Sequence, residues 1–262
     1  MEFFGYVFAV LIGFFLGIFG GGGSLLAVPV FAYIFSLDEK VATAYSLFTV
    51  GISSIIGATK QLSNIEWKVT LIFGIPSIIA VWLTRFFIIP NLPEIIFDNE
   101  SFIITRRMLI FGIFTFLLLI SSFSMIFETS KNVKPINIKN FYVLIIIEGF
   151  IVGGLTGFVG AGGGFLIIPA LIILIGLDIK KAIATSLIII ALKSTFGFFL
   201  GDVMVMNIDW DFLIYFTLLT SLGVIIGTYF GKSIDNLKLK KLFGIFIMVI
   251  AISILFKEFK NN

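Results

Sequence analysis

The sequence predicts an all-α polytopic membrane protein built from two homologous repeats, and three observations carry that prediction. Of 262 residues, 59% are hydrophobic and 13% charged, whereas a soluble domain is about 45–50% apolar and about 25% charged. Mean hydropathy is +1.17. The apolar residues collect in eight long runs, and the first half of the chain reappears in the second at an offset of 140 residues.

The runs cover residues 3–35, 40–57, 67–90, 102–127, 139–176, 179–200, 211–230 and 239–256. Most hold about 18–25 residues, enough to cross a hydrocarbon core of about 30 Å at about 1.5 Å per residue. The first run follows Met1-Glu2-Phe3-Phe4, which lacks a basic leader region and is read as a retained membrane segment. It is too long for one helix and contains Gly20-Gly21-Gly22-Gly23. Each glycine costs a helix about 1 kcal/mol, so the run is predicted to break there. Asp38 precedes the second run as an N-cap, and Trp67, after Glu66, anchors the third at an interface. A connection over 91–101 leads to the fourth. The fifth run is again over-long and contains Gly160-Ala161-Gly162-Gly163-Gly164. Asp178 caps the sixth, which carries Lys193 among apolar residues, and Trp210 anchors the seventh. The eighth is uninterrupted.

The offset aligns Gly13, Gly17, Gly20, Gly22, Gly23 and Pro29 with Gly153, Gly157, Gly160, Gly162, Gly163 and Pro169. Asp38, Lys40, Ser46, Ser54 and Gly57 fall on Asp178, Lys180, Ser186, Ser194 and Gly197. Chance apolar similarity does not produce an ordered set of Gly, Pro, Asp, Lys and Ser. The repeats are assigned to residues 1–130 and 139–262, each with about four hydrophobic regions and each with its first helix broken at a glycine cluster. If the broken region turns back at the glycines, the repeats are inverted; if it crosses once, they are parallel. The turn-back arrangement gathers Glu94, Asp98, Glu100, Asp202, Asp209 and Asp211 on the face poorer in Lys and Arg, and inverted repeats are favoured. That choice puts loops 58–66, 128–138, 177–181 and 231–241 in the cytoplasm, with both termini outside.

Several function classes drop out. The chain has no cysteine and no histidine, so disulfides, Cys/His metal sites and Ser-His nucleophiles are excluded. No GxxxxGK[ST] phosphate loop is present, so this chain does not drive a pump with ATP by itself. A net charge of +3 without a basic surface patch gives no support for nucleic acid. No cofactor or metal is expected.

What remains is chemistry at the glycine clusters. Irregular backbone survives in a bilayer only when buried in protein or lining a wet cavity. A helix starting after each break turns its unpaired N–H groups and positive dipole end toward the break, and glycine lets an oxyanion approach the backbone. The candidate anion-binding residues are therefore Gly20, Gly21, Gly22, Gly23 and Ser24 in one half and Gly160, Gly162, Gly163 and Gly164 in the other. The bland alternative, close helix packing, suits Gly13, Gly17, Gly153 and Gly157 better than the adjacent glycines. Lys193 is a mid-helix charge costing at least about 2.5–3.5 kcal/mol to insert, and Ser53 occupies the equivalent place in the first half. Both join the candidate binding set, Lys193 as a countercharge. Its competing role is an ion pair with Glu148, the comparable intramembrane acid and otherwise the candidate proton carrier. Thr43, Ser46, Thr185 and Ser186 either line the cavity or bond back to their own helices.

The segments Gly17-Ile18-Phe19-Gly20-Gly21-Gly22-Gly23-Ser24-Leu25-Leu26-Ala27-Val28-Pro29 and Gly157-Phe158-Val159-Gly160-Ala161-Gly162-Gly163-Gly164-Phe165-Leu166-Ile167-Ile168-Pro169 resemble the TauE/SafE sulfite exporter family. So does the Leu-Asp-x-x-x-Ala-x-Ala-x-Ser-Leu pattern from Leu37 and from Leu177. Ala161 departs from the all-glycine form of the first cluster. The resemblance implies a multi-pass permease of the plasma or inner membrane that moves small anions, often sulfite, sulfonates or related sulfur acids, without ATP. The expected partners are a small anionic substrate and lipid, with a homo-oligomer left open. The competing readings are a noncatalytic membrane scaffold and, more weakly, a membrane-embedded enzyme.

Overall fold

The computed structural model describes residues 2–99, 102–127 and 138–259. It is helical almost throughout, with eight segments long and apolar enough to cross a membrane among the described residues. The helices are α1 Glu2–Phe19, α2 Ser24–Tyr33, α3 Glu39–Thr59, α4 Trp67–Asn91, α5 Arg106–Phe127, α6 Ile138–Val159, α7 Gly164–Ile173, α8 Ile179–Leu200, α9 Trp210–Lys232 and α10 Asn236–Phe259. The protein is thus a multi-pass membrane protein, as the composition requires. The expected loop 128–138 lies, but for its last residue, outside the described residues.

Both over-long runs break where predicted. A 3-10 turn over Gly20–Gly23 separates α1 from α2, and residues 160–163 separate α6 from α7. The first chain segment then folds back on itself. Gly23 lies against Leu16 and Ile12, and Phe35 packs over Gly5 with its ring 6.1 Å from that of Tyr6. Gly163 lies against Thr156 in the corresponding place of the second break.

Two kinds of contact between the halves fix the rest. Helix α1 runs alongside α9 in the same direction, with Gly13 against Thr220 and Gly17 against Val224 and Thr228. Helix α6 runs alongside α4 in the same way, with Gly149 on Phe73, Gly153 on Ser77 and Gly157 on Val81. In each pair the missing side chains let backbones touch, the small-residue packing that membrane helices use in place of a hydrophobic drive. By contrast α3 and α8 cross antiparallel, with Gly51 against Thr195 and Gly57 against Leu187. Helices α5 and α10 are antiparallel too: the Ser122 hydroxyl donates to Gly244 O at 2.9 Å, and Arg107 pairs with Glu258 at 2.7 Å.

Hydrogen bonds across the halves also recur. The Glu66 N–H donates to Thr185 Oγ1 at 3.0 Å, and the Asp209 N–H donates to the Tyr45 hydroxyl at 2.8 Å. Tyr45 and Thr185 are 140 residues apart in sequence. Asp38 caps α3 as expected, accepting from the Lys40 N–H at 2.8 Å, whereas Asp178 makes no side-chain cap to α8.

One element departs from the all-helical expectation. The connection read as a loop over 91–101 carries strand β1 Ile95–Asn99, paired antiparallel with β2 Phe102–Thr105. The β-branched residues Ile95, Ile96, Ile103, Ile104 and Thr105 favour this extended pairing, and it postpones the start of α5 from 102 to Arg106.

The packing predicts opposite outcomes at two glycines. A methyl at Gly153 would collide with the Ser77 backbone, while one at Gly74 meets nothing within 4 Å. Gly153→Ala should lower stability by about 1–3 kcal/mol, whereas Gly74→Ala should leave it level or raise it by up to about 1 kcal/mol. Melting of the two purified variants in detergent checks this; equal losses contradict the packing described.

Candidate functional site

The two glycine breaks meet. A methyl built on Gly21 would overlap the Cα of Gly164, Gly162 sits against Ser24 and Ile190, and Gly163 sits against Thr156 and the Lys193 ammonium. Toward one end of the bundle Gly20 rests on Ile183 and Ser186; toward the other Gly160 rests on Thr43. All the candidate residues, from Gly20 to Ser24 and from Gly160 to Gly164 with Ser53 and Lys193, are buried.

The two breaks differ in backbone. Gly20 alone of its cluster adopts positive φ, at +60°, and Gly21–Gly23 then wind into the 3-10 turn. In the second cluster Gly160, Gly162 and Gly163 all have positive φ, at +73°, +64° and +79°. Ala161 is not among the positive-φ residues, so a side chain is admissible there. Gly21, its counterpart, has no such room because Gly164 lies on it.

These details relocate the donors. The Ser24 N–H donates to Gly21 O and Gly22 O, and its hydroxyl donates to Gly21 O at 2.5 Å. The Ser24 hydroxyl, a candidate ligand donor, is here turned onto its own backbone because the 3-10 turn leaves that carbonyl within reach. In the second half the N–H groups of Leu166 and Ile167 both donate to Gly163 O at 3.0 Å, leaving those of Gly164 and Phe165 as first-turn donors.

Lys193 is fully buried on α8 and donates to Thr156 Oγ1, whose hydroxyl donates to Gly153 O at 3.2 Å. No carboxylate pairs with it among the described residues. Glu148 stands two turns earlier on α6 than Thr156, about 12 Å along the axis, and its Oε2 is buried without a hydrogen-bond partner. The Lys193–Glu148 pair weighed from the sequence is thus not formed. Ser53 does not face Lys193 either: its hydroxyl is 3.2 Å from that of Ser221 on α9. Along the α3–α8 seam the hydroxyls of Ser46, Ser54, Ser194 and Thr195 are buried with no protein partner, the condition in which buried polar groups take up water or ligand. Thr185 and Ser186 are instead occupied, the first accepting from Glu66 N–H, the second donating to Ile183 O.

Two functional candidates escape the sequence reading altogether. Arg85 and Asp202 are both fully buried and ion-paired: Arg85 Nε lies 2.8 and 2.9 Å from the two Asp202 oxygens, and Nη2 lies 2.5 Å from Oδ1. Nη2 donates along no aligned N–H. Nη1 donates to Thr43 Oγ1 at 3.0 Å and to Gly157 O at 3.3 Å. Arg85 belongs to a π-helical stretch of α4, Thr84–Ile88, and Asp202 opens a short 3-10 turn after α8; π-helical turns frequently sit at functional sites. The available signal was an arginine inside the apolar run 67–90, itself grounds for suspicion.

Breaking this pair should be costly. Asp202→Ala leaves a buried guanidinium without its counterion and is expected to cost about 3–5 kcal/mol, read as a lower melting temperature in detergent. Lys181→Ala removes the exposed pair with Glu66 and should leave melting essentially unchanged. Equal effects would contradict the burial argument.

Comparison with known proteins agrees with this architecture. Residues 6–254 match the family described as "Sulfite exporter TauE/SafE". A Xylella fastidiosa protein named "Probable membrane transporter protein" is 25% identical over 96% of this chain and 94% of its own length. Similarly named proteins are 30% identical over 72% of this chain and 69% of their own length in Methanocaldococcus jannaschii, and 26% identical over 86% and 85% in Bacillus subtilis. No solved structure matches. With the family match spanning both glycine breaks and nearly all the membrane helices, the chain belongs to the TauE/SafE sulfite exporter family of membrane transporters.

Proposed function

We propose that this transporter moves a small sulfur-containing oxyanion, such as sulfite or a sulfonate, across the plasma or inner membrane by alternating access, with the anion held where the two glycine breaks meet. The observation that carries the reading is Lys193: a fully buried side chain with no carboxylate partner, in contact with Gly163 at the start of α7. A buried cation without a counterion is costly, and a transient anion supplies one. The first-turn N–H groups of Gly164 and Phe165 add donors suited to oxyanion oxygens. Gly20, Gly21, Gly22 and Gly23 line one side and Gly160, Gly162, Gly163 and Gly164 the other, the N–H groups of Gly160 and Gly163 being already taken by Thr156 O and Ala161 O. Ser24 and Ser53 border the site and take a substrate bond only after exchanging their present partners.

In this reading residues 1–130 and 139–262 are inverted repeats. The fold-back of α1 onto α2, the antiparallel crossings of α3 with α8 and of α5 with α10, and the parallel pairs α1/α9 and α4/α6 support that symmetry. Inverted repeats supply two related conformations by exchanging the shapes of their halves. Glu148 serves as the proton carrier, its unpartnered oxygen being the supporting observation.

Uptake of radiolabelled sulfite and of an alkanesulfonate into proteoliposomes tests the function. Saturable, counterflow-competent flux of one of them is expected, and no flux of any sulfur oxyanion overturns the reading. Lys193→Ala should lower the initial rate by about tenfold or more, the loss that follows from deleting one charge-assisted contact; unchanged flux removes Lys193 from the mechanism. Glu148→Gln should retain anion exchange at equal pH while losing the acceleration by an imposed pH gradient. Retention of that acceleration removes Glu148 as the carrier.

A further inference from the structure

Two buried cations converge on one turn of α6. Lys193 donates to Thr156 Oγ1, and Arg85 Nη1 donates to the carbonyl of Gly157, the next residue. Arg85 also donates to Thr43, the residue on which Gly160 rests. The guanidinium thus lies beside the last turn of α6 before the second glycine break, bonded one residue along the chain from the lysine's partner. Only one acid answers these two cations. Asp202 pairs with Arg85, and no other charged group is ion-paired with Arg85, Asp202 or Lys193 among the described residues.

The charges sum to a definite value. Lys193 and Arg85 each contribute +1 and Asp202 contributes −1, so the three buried charges around this turn of α6 sum to +1. Arginine does not surrender its proton in proteins, and an anion beside Nζ pairs with the ammonium form of the lysine. In a water-excluded interior the favoured ligand is the one that brings the total to zero, because leftover charge of either sign remains unsolvated.

We propose that Asp202 sets the charge selectivity of this transporter: by cancelling Arg85 it leaves a site of net charge +1 that selects monoanions, such as hydrogensulfite and alkanesulfonates, over dianions such as sulfate. This rests on the anion-site reading given above and narrows its substrate class. The role is separable from a structural one. A purely structural ion pair affects stability and leaves the preference between anions untouched.

Methanesulfonate and sulfate make a matched pair of probes, sharing tetrahedral sulfur and similar size while differing by one charge. Ligand-dependent melting of the full chain in detergent reads their binding. The wild-type protein should respond to methanesulfonate at a concentration about tenfold or more below that for sulfate. Asp202→Asn raises the cluster to +2 and should reverse that order. Arg85→Gln lowers it to zero and should weaken both ligands. The double variant Arg85→Gln/Asp202→Asn returns the cluster to +1 and should regain the monoanion preference.

If Asp202→Asn alone does not fold, Arg85→Gln against the double variant makes the same comparison, and recovery of methanesulfonate binding by about tenfold is the expected result. Binding by the wild-type protein with the same preference in every folded variant, or equally weak binding in Arg85→Gln and the double variant, overturns the role of Asp202 and leaves the anion site standing. If neither these probes nor sulfite is bound by the wild-type protein, the anion site falls and the selectivity with it.

Discussion

The contact between Gly21 and Gly164 is the constraint around which the bundle is arranged. Non-helical backbone inside a bilayer is admissible only when protein or water covers it. Here the two interruptions touch at Gly21 and Gly164, while Phe243, Leu16 and Ile12 cover the rest of the first and Thr43, Val50 and Thr156 the rest of the second. The same packing explains why the second cluster accepts an alanine at 161 while the first has none at 21. Alanine fits only where φ is negative and no backbone lies on the Cβ position.

Around that centre, charge is distributed unevenly. Outer pairs such as Arg106 with Glu39 at 2.5 Å and Arg107 with Glu258 tie helix ends together. The interior holds Lys193, Arg85 and Asp202 with no further charged partner among the described residues. Because a buried pair is weak evidence for stability, the useful question about Arg85 and Asp202 concerns what they do to a charged visitor. Their placement on irregular backbone, a π-helical stretch and a 3-10 turn, sets them apart from pairs that simply brace regular helices.

Much of the architecture was legible because it rests on covalent facts. Four adjacent glycines cannot continue an α-helix cheaply, and an apolar run of double length must fold or break. The hairpin at 95–105 was not legible, since Ile-rich residues next to a membrane helix read equally well as its first turn. At the site, Lys193 and the glycines could be singled out because an isolated charge or a glycine run is conspicuous by itself. The partner of Lys193 could not, because Thr156 is one of many threonines and only the fold brings it to Nζ. Arg85 and Asp202 escaped for a related reason: each lies near the end of an apolar run, where a charge ordinarily meets water, and only tertiary packing removes that water. The bond from Ser24 back to Gly21 depends on whether the chain winds as 3-10 or α-helix at the glycines, which composition does not decide.

The side-by-side pairing of α1 with α9 and of α4 with α6 has a consequence for biogenesis. Helix α1 carries Gly13 and Gly17 on a face whose mate, around Thr220 and Thr228, is made some two hundred residues later. Contacts of such long sequence separation form slowly. During synthesis that grooved face has only lipid or an assembly factor against it, so insertion of the N-terminal segment and its final docking are separate events in time. A chain truncated before α9 would leave α1 permanently without its seat.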